Sequence, residues 1–105
     1  MNWPNDADGD VFRRLHKEGF DFSASSSVDF NVDFDEWPPS SKAIERLQSI
    51  VGNLEIVEPD GEFGGYLAFQ VNMQLNYERV TSIQREVSEV MEPFGGVCES
   101  WGVLS

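Results

Sequence analysis

Residues 65–75 read GYLAFQVNMQL, with Leu67, Phe69, Val71, Met73 and Leu75 alternating with Tyr66, Ala68, Gln70, Asn72 and Gln74. A period of two held over ten residues predicts a strand with one apolar face and one largely polar face. Asn and Gln are poor core residues, so the second face meets water or a partner. Residues 27–35 repeat the pattern, with Val28, Phe30, Val32 and Phe34 on one side and Asp29, Asn31, Asp33 and Asp35 on the other. The run Glu36-Trp37-Pro38-Pro39 ends this second strand, because proline cannot extend a central strand or its ladder. Leu54 and Ile56 alternate within 53–58 and predict a shorter strand, closed by the turn Pro59-Asp60-Gly61. Phe94-Gly95-Gly96 turns the chain into a final strand that reaches Val103.

Between the strands the period changes to that of a helix. Val11, Phe12 and Leu15 form a short stripe over 8–18, with Asp6, Asp8 and Asp10 near its start and Gly19 at its stop. Ile44, Leu47, Ile50 and Val51 share a face in a helix capped by Ser40 or Ser41 and closed by Gly52. Asn76 caps a third helix, running to about Glu92, where Pro93 forces the end. Val80, Ile83, Val87, Val90 and Met91 supply its apolar face. The order is helix, then strand–helix–strand–strand–helix–strand. That succession predicts an α+β fold of the ferredoxin-like, split βαβ kind: a four-stranded antiparallel sheet, two crossover helices on one face, and an extra N-terminal helix. The two most regular strands, 28–35 and 66–75, fall in the centre.

At 105 residues the chain suits one domain, 1–105, and its hydrophobic share of 40%, with eight Phe and three Trp, argues for a packed globule. Nineteen acids against seven bases give a net charge of −12. Such a charge repels nucleic acid and anionic membranes and favours a basic partner, or simply solubility. The single Cys98 forms no internal disulfide, the N-terminus shows no secretory pattern, and no apolar run approaches a membrane span. A cytoplasmic protein is the simplest expectation.

Catalytic chemistry finds no support in the motifs. A calcium loop counted from Asp6 needs glycine sixth and glutamate twelfth, and those positions hold Val11 and Lys17. His16 reads as a solvated helix residue, and Cys98, with no second cysteine or nearby histidine, as a small buried residue. Gly61-Glu62-Phe63-Gly64-Gly65 lacks the lysine and spacing of a phosphate loop. No enzyme activity, cofactor or metal is expected.

An open four-stranded face can bind single-stranded RNA, but that use needs central aromatics and a basic surround. Here it would present Asp29, Asn31 and Asp33 beside Ala68, Gln70 and Asn72, and carboxylates at those places repel phosphate. The same face suits a positively charged protein segment, since Arg forks onto carboxylates and amides. A solvated face and a weak homodimer through two such faces are the alternatives. In the dimer the aspartates would oppose each other, so acid or salt should promote it.

Several strings taken together resemble the regulator of ribonuclease E activity B (RraB) family. They are Asp8-Gly9-Asp10-Val11 with Arg14 and Leu15, Glu18-Gly19-Phe20-Asp21-Phe22-Ser23, Val28-Asp29-Phe30, Phe94-Gly95-Gly96 and Trp101-Gly102, spread over about residues 8–102. The resemblance implies a ferredoxin-like fold with an N-terminal helix. It also implies a non-enzymatic protein that binds ribonuclease E, largely outside the catalytic domain, and lowers its RNA cleavage. The family often reads Tyr-Asp-Gly-Trp-Gly where this chain has Cys98-Glu99-Ser100-Trp101-Gly102, and its known inhibitors carry an acidic tail beyond. Only Glu99 and Trp101-Gly102 carry over as contacts, and Trp101 serves equally well as a packing residue. The expected partner-binding set is Asp29, Asn31, Asp33, Gln70, Asn72, Glu99 and Trp101. A generic interaction or immunity-type module for another basic protein is the alternative function.

Overall fold

The computed structural model describes residues 3–62 and 64–103. Helix α1 spans Ala7–Lys17, strand β1 Ser25–Phe34, helix α2 Ser41–Val51 and strand β2 Glu55–Val57. Strand β3 spans Tyr66–Gln74 and helix α3 Tyr77–Met91; a 3₁₀ turn over Glu92–Phe94 leads into strand β4, Gly96–Val103. All pairings are antiparallel, in the order β2-β3-β1-β4. The two strands with the strictest alternation are therefore central, as the ferredoxin-like reading requires.

Local chemistry sets the helix ends. Asp6 Oδ1 accepts from the Gly9 N–H at 2.7 Å, Ser40 Oγ from Ala43 at 3.2 Å and Asn76 Oδ1 from Arg79 at 3.1 Å. Each satisfies a donor that a helix leaves unpaired in its first turn. In α1 the acids Asp8 and Asp10 lie in the first turn and Arg14, His16 and Lys17 in the last, which matches the helix dipole at both ends. Gly9 is buried where Pro4 crosses the helix, and a Cβ there would lie 1.9 Å from the Pro4 carbonyl oxygen. Arg13 Nη1 holds the same crossing by donating to the Trp3 and Pro4 carbonyls at 3.0 and 3.1 Å. At the far end Gly95 takes φ +76°, the left-handed conformation that lets the chain leave the 3₁₀ turn and enter β4.

β1 and β3 pair over nine positions, Ser25 against Gln74 through Asp33 against Tyr66. Directly opposed residues share a sheet face. Val28, Phe30 and Val32 therefore stand with Val71, Phe69 and Leu67, and the Phe30 and Phe69 rings stack at 5.3 Å. Phe12 and Leu15 of α1, Leu47 of α2, and Val80, Val87 and Met91 of α3 close over them to form one core. α2 and α1 both pack against α3, so all three helices form one layer. The N-terminal helix thus lies on the same side as the two crossover helices.

Boundaries differ from the pattern by a few residues. β1 begins earlier than the alternation, because Ser25 and Ser26 pair with Gln74 and Met73 although they carry no apolar signal. β2 is three residues long, not six. Leu54 leaves the ladder and packs against the core instead.

Candidate functional site

Among the described residues, the sheet face opposite the helices is left uncovered by any other element. Along β1 it presents Asp29, Asn31 and Asp33, opposed on β3 by Gln70, Ala68 and Tyr66. Asn72 continues the row on β3, opposite Ser27. On the other side of β1, Gly102 stands opposite Asp29 and Ser100 opposite Asn31. Glu55 of β2 pairs with Ala68 and so joins the same row. The face therefore carries three acids (Asp29, Asp33 and Glu55) among amides and small residues.

Small neighbours shape this surface. Gly102 has open space where a Cβ would stand, and Ala68 offers one methyl group. Asp29 and Asn31 consequently sit in a shallow open concavity of about 910 Å³, bordered also by Glu55, Tyr66 and Gln70. Asn31 Nδ2 donates to Ser100 Oγ at 3.2 Å, and Gln74 Nε2 donates to the Ser23 carbonyl at 2.8 Å. No ion pair neutralises Asp29, Asp33 or Glu55 among the described residues.

The charge is segregated. All seven Lys and Arg lie in the helices: Arg13, Arg14 and Lys17 in α1, Lys42 and Arg46 in α2, Arg79 and Arg85 in α3. Six of the nineteen acids share those helices, so the strands, connections and caps carry thirteen acids and no base. The helix layer is near neutral and the surplus of negative charge belongs to the sheet and its loops. A mobile or extended cation approaching the sheet meets attraction with no competing positive group.

Five of the seven expected contact residues come together here: Asp29, Asn31, Asp33, Gln70 and Asn72. Trp101 borders the concavity but its ring turns to the other face, and Glu99 does not join them. The β1–β4 register shifts between the Asn31–Ser100 and Asp33–Val97 pairs, where β4 has one residue more than β1. This bulge reverses the alternation, so Trp101 pairs with Phe30 and stands on the helix side. Its ring packs 5.3 Å from that of Phe12, and its Nε1 donates to Asp8 Oδ1 at 2.9 Å. Glu99 is exposed at the sheet edge, bordering a concavity with Asp6, Asp8, Arg85 and Ser88. Glu55 was missed. Its place on the face follows from the β2 register, which a strand of three residues does not announce in sequence.

Cys98 is 3% exposed, and burial, followed by the nearby Asp33 charge, pushes its thiol up to about 12. The thiolate needed for nucleophilic or metal-binding chemistry is therefore suppressed. Among the described residues no group of three His, Cys, Asp or Glu side chains is placed to hold a metal ion, and no helix is long and apolar enough to cross a membrane. The face offers carboxylates, amides and open backbone-scale relief, which is the equipment of a binding surface.

No curated protein matches the chain. The family model described as regulator of ribonuclease activity B, RraB, matches residues 5–103, an interval that holds every helix and strand. The chain belongs to the RraB family of ribonuclease regulators.

Proposed function

We propose that this protein lowers the activity of a ribonuclease E-type nuclease by direct protein contact, with the open sheet face as the contact surface. The partner segment is basic and lies outside the nuclease's catalytic domain. The regulator itself performs no catalysis, touches no RNA and works in the cytoplasm as a single domain. The observation that carries this reading is the segregation of charge: Asp29, Asp33 and Glu55 share a face on which no Lys or Arg stands. Family membership supplies the class of target. Phosphate is repelled by the same carboxylates that attract guanidinium groups, so affinity for the protein and indifference to its RNA have one cause.

The test is an RNA-cleavage assay with ribonuclease E bearing its non-catalytic region and with the isolated catalytic domain. The chain should slow the first and leave the second unchanged. The double substitution Asp29→Asn, Asp33→Asn should weaken the effect. Each exposed charge pair contributes about 0.2–1 kcal/mol, so the pair of substitutions should raise the concentration for half-inhibition about 2- to 30-fold. Equal inhibition of both enzymes, or an unaffected double variant, would remove the surface assignment.

A further inference from the structure

The four-stranded sheet has a vacancy. β3 pairs with β1 over all nine of its positions, but β2 covers only Tyr66, Leu67 and Ala68 on the other side. Residues 69–74 therefore have one edge bonded to β1 and one edge free. In an extended strand alternate residues direct both N–H and C=O to the same side, so three residues of this stretch offer an unpaired donor and acceptor each. Among the described residues no loop or side chain bonds this backbone from the free side.

The other exposed edge is managed differently. On β4 the Cys98 N–H donates to Ser88 Oγ at 2.9 Å, the Ser88 hydroxyl reaches the Cys98 carbonyl at 3.4 Å, and the bulge interrupts the ladder. Proteins blunt free edges with such plugs, with bulges, with lysine or with proline. The stretch Phe69-Gln70-Val71-Asn72-Met73-Gln74 has none of these. Beside it lies an open groove of about 740 Å³, walled on one side by Asn72 and Gln74 and on the other by Glu78, Ser82, Ile83 and Glu86 of α3. Six residues of strand span about 20 Å, the length of an ordinary added strand.

We propose that this edge receives an extended, positively charged segment of the partner protein, which pairs with residues 69–74 as a fifth strand in line with β2. The inference rests on the proposed function and supplies its binding mode. Gln70 and Asn72 belong to the acidic face and border the edge, with Asp29 one strand behind Gln70, so one occupant reaches both surfaces. Glu78 and Glu86 outnumber Arg79 along the groove, and a basic side chain turned toward α3 meets them. Ile83 lies on that same α3 wall, so side chains of this alternation meet it too, and those of the opposite alternation face the open side beside Gln70 and Asn72. A second copy of this chain is the wrong occupant, because it would bring a further −12 of charge and its own Glu78 and Glu86 to the same place.

The probe is the basic, non-catalytic region of ribonuclease E, added to the full ¹⁵N-labelled chain while amide hydrogen exchange is followed residue by residue. Calorimetry on the same samples reports whether the two proteins bind. Binding should slow one alternate set of amides in 69–74 about tenfold or more, while the other set, already bonded to β1, changes little. Glu86→Lys, an exposed substitution, should weaken binding about fivefold. Binding with no new protection in 69–74 would overturn the edge-pairing inference and leave the proposed function standing. Absence of binding would overturn both. Protection that rises with the concentration of the chain alone would assign the edge to a second copy and overturn the basic-segment occupant.

Discussion

Trp101 separates a packing account from a contact account of the chain's C-terminal strand, and Trp101→Phe tests it. The indole lies on the helix side, tilted against the Phe12 ring, with Nε1 2.9 Å from Asp8 Oδ1. It ties β4 to the first turn of α1 across 93 residues of sequence. Phenylalanine keeps most of the ring contact and removes the donor. A hydrogen bond to a charged acceptor contributes about 1.5–3 kcal/mol, and the half-buried site places this one near the lower end. The lost five-membered ring removes about 40 Å² of apolar contact, or about 1 kcal/mol if fully buried. A total near 2 kcal/mol follows, equivalent to a Tm lower by about 8–15 °C for a chain of this size. Asp8→Asn retains a neutral acceptor and should cost about 1 kcal/mol or less, and the double variant should cost less than the two singles combined. Urea denaturation followed by circular dichroism measures all three, with calorimetry on the partner region run in parallel. Affinity should stay within twofold of the parent. Unchanged stability with binding weakened about tenfold would refute the packing account and return Trp101 to the interface.

Three further outcomes follow from particular contacts. Cys98 should resist thiol reagents at pH 8 in the folded protein and react fully in denaturant, since its thiol is held up to about 12; rapid labelling of the native chain would contradict its burial. Tyr77→Phe should return the Asp6 carboxyl toward 3.8, because the Tyr77 hydroxyl bond at 2.5 Å is the largest cause of its depression, followed by the Gly9 amide. A depressed carboxylate stabilises the fold above its unfolded value and loses that contribution as pH falls through the folded one. The parent should therefore lose more stability than the variant below pH 3.8, with an unchanged NMR titration of Asp6 as the contrary result. Ser88→Ala should unplug the β4 edge, costing about 1–3 kcal/mol and promoting self-association visible by sedimentation; a stable monomer would show that the hydroxyl plug is dispensable.

The central strands were legible because their chemistry alternates without a break. Leu67 through Met73 and Val28 through Val32 needed only the period of two, and that pattern also told which residues of these two strands share the acidic face. Helix ends were legible from Asp6, Ser40 and Asn76, whose side chains act within three residues of themselves. What depended on distant partners was not legible. The stripe Val11, Phe12 and Leu15 shows that α1 has an apolar side, but its seat is set by Tyr77 and Trp101, far along the chain. Strict alternation from Val97 groups Glu99 and Trp101 with the open face, and one extra residue in β4 reverses that grouping. The free edge of β3 was equally hidden, since a strand's sequence does not tell how much of it a short neighbour will cover.

The most direct measurement is a calorimetric titration of the chain with the basic, non-catalytic region of ribonuclease E at low and at high salt, repeated with Asp29→Asn, Asp33→Asn. An acidic sheet face as contact surface predicts binding that weakens with salt, and a double variant that binds less tightly with a flatter salt dependence. Binding of equal strength at both salt concentrations and in both proteins would contradict it.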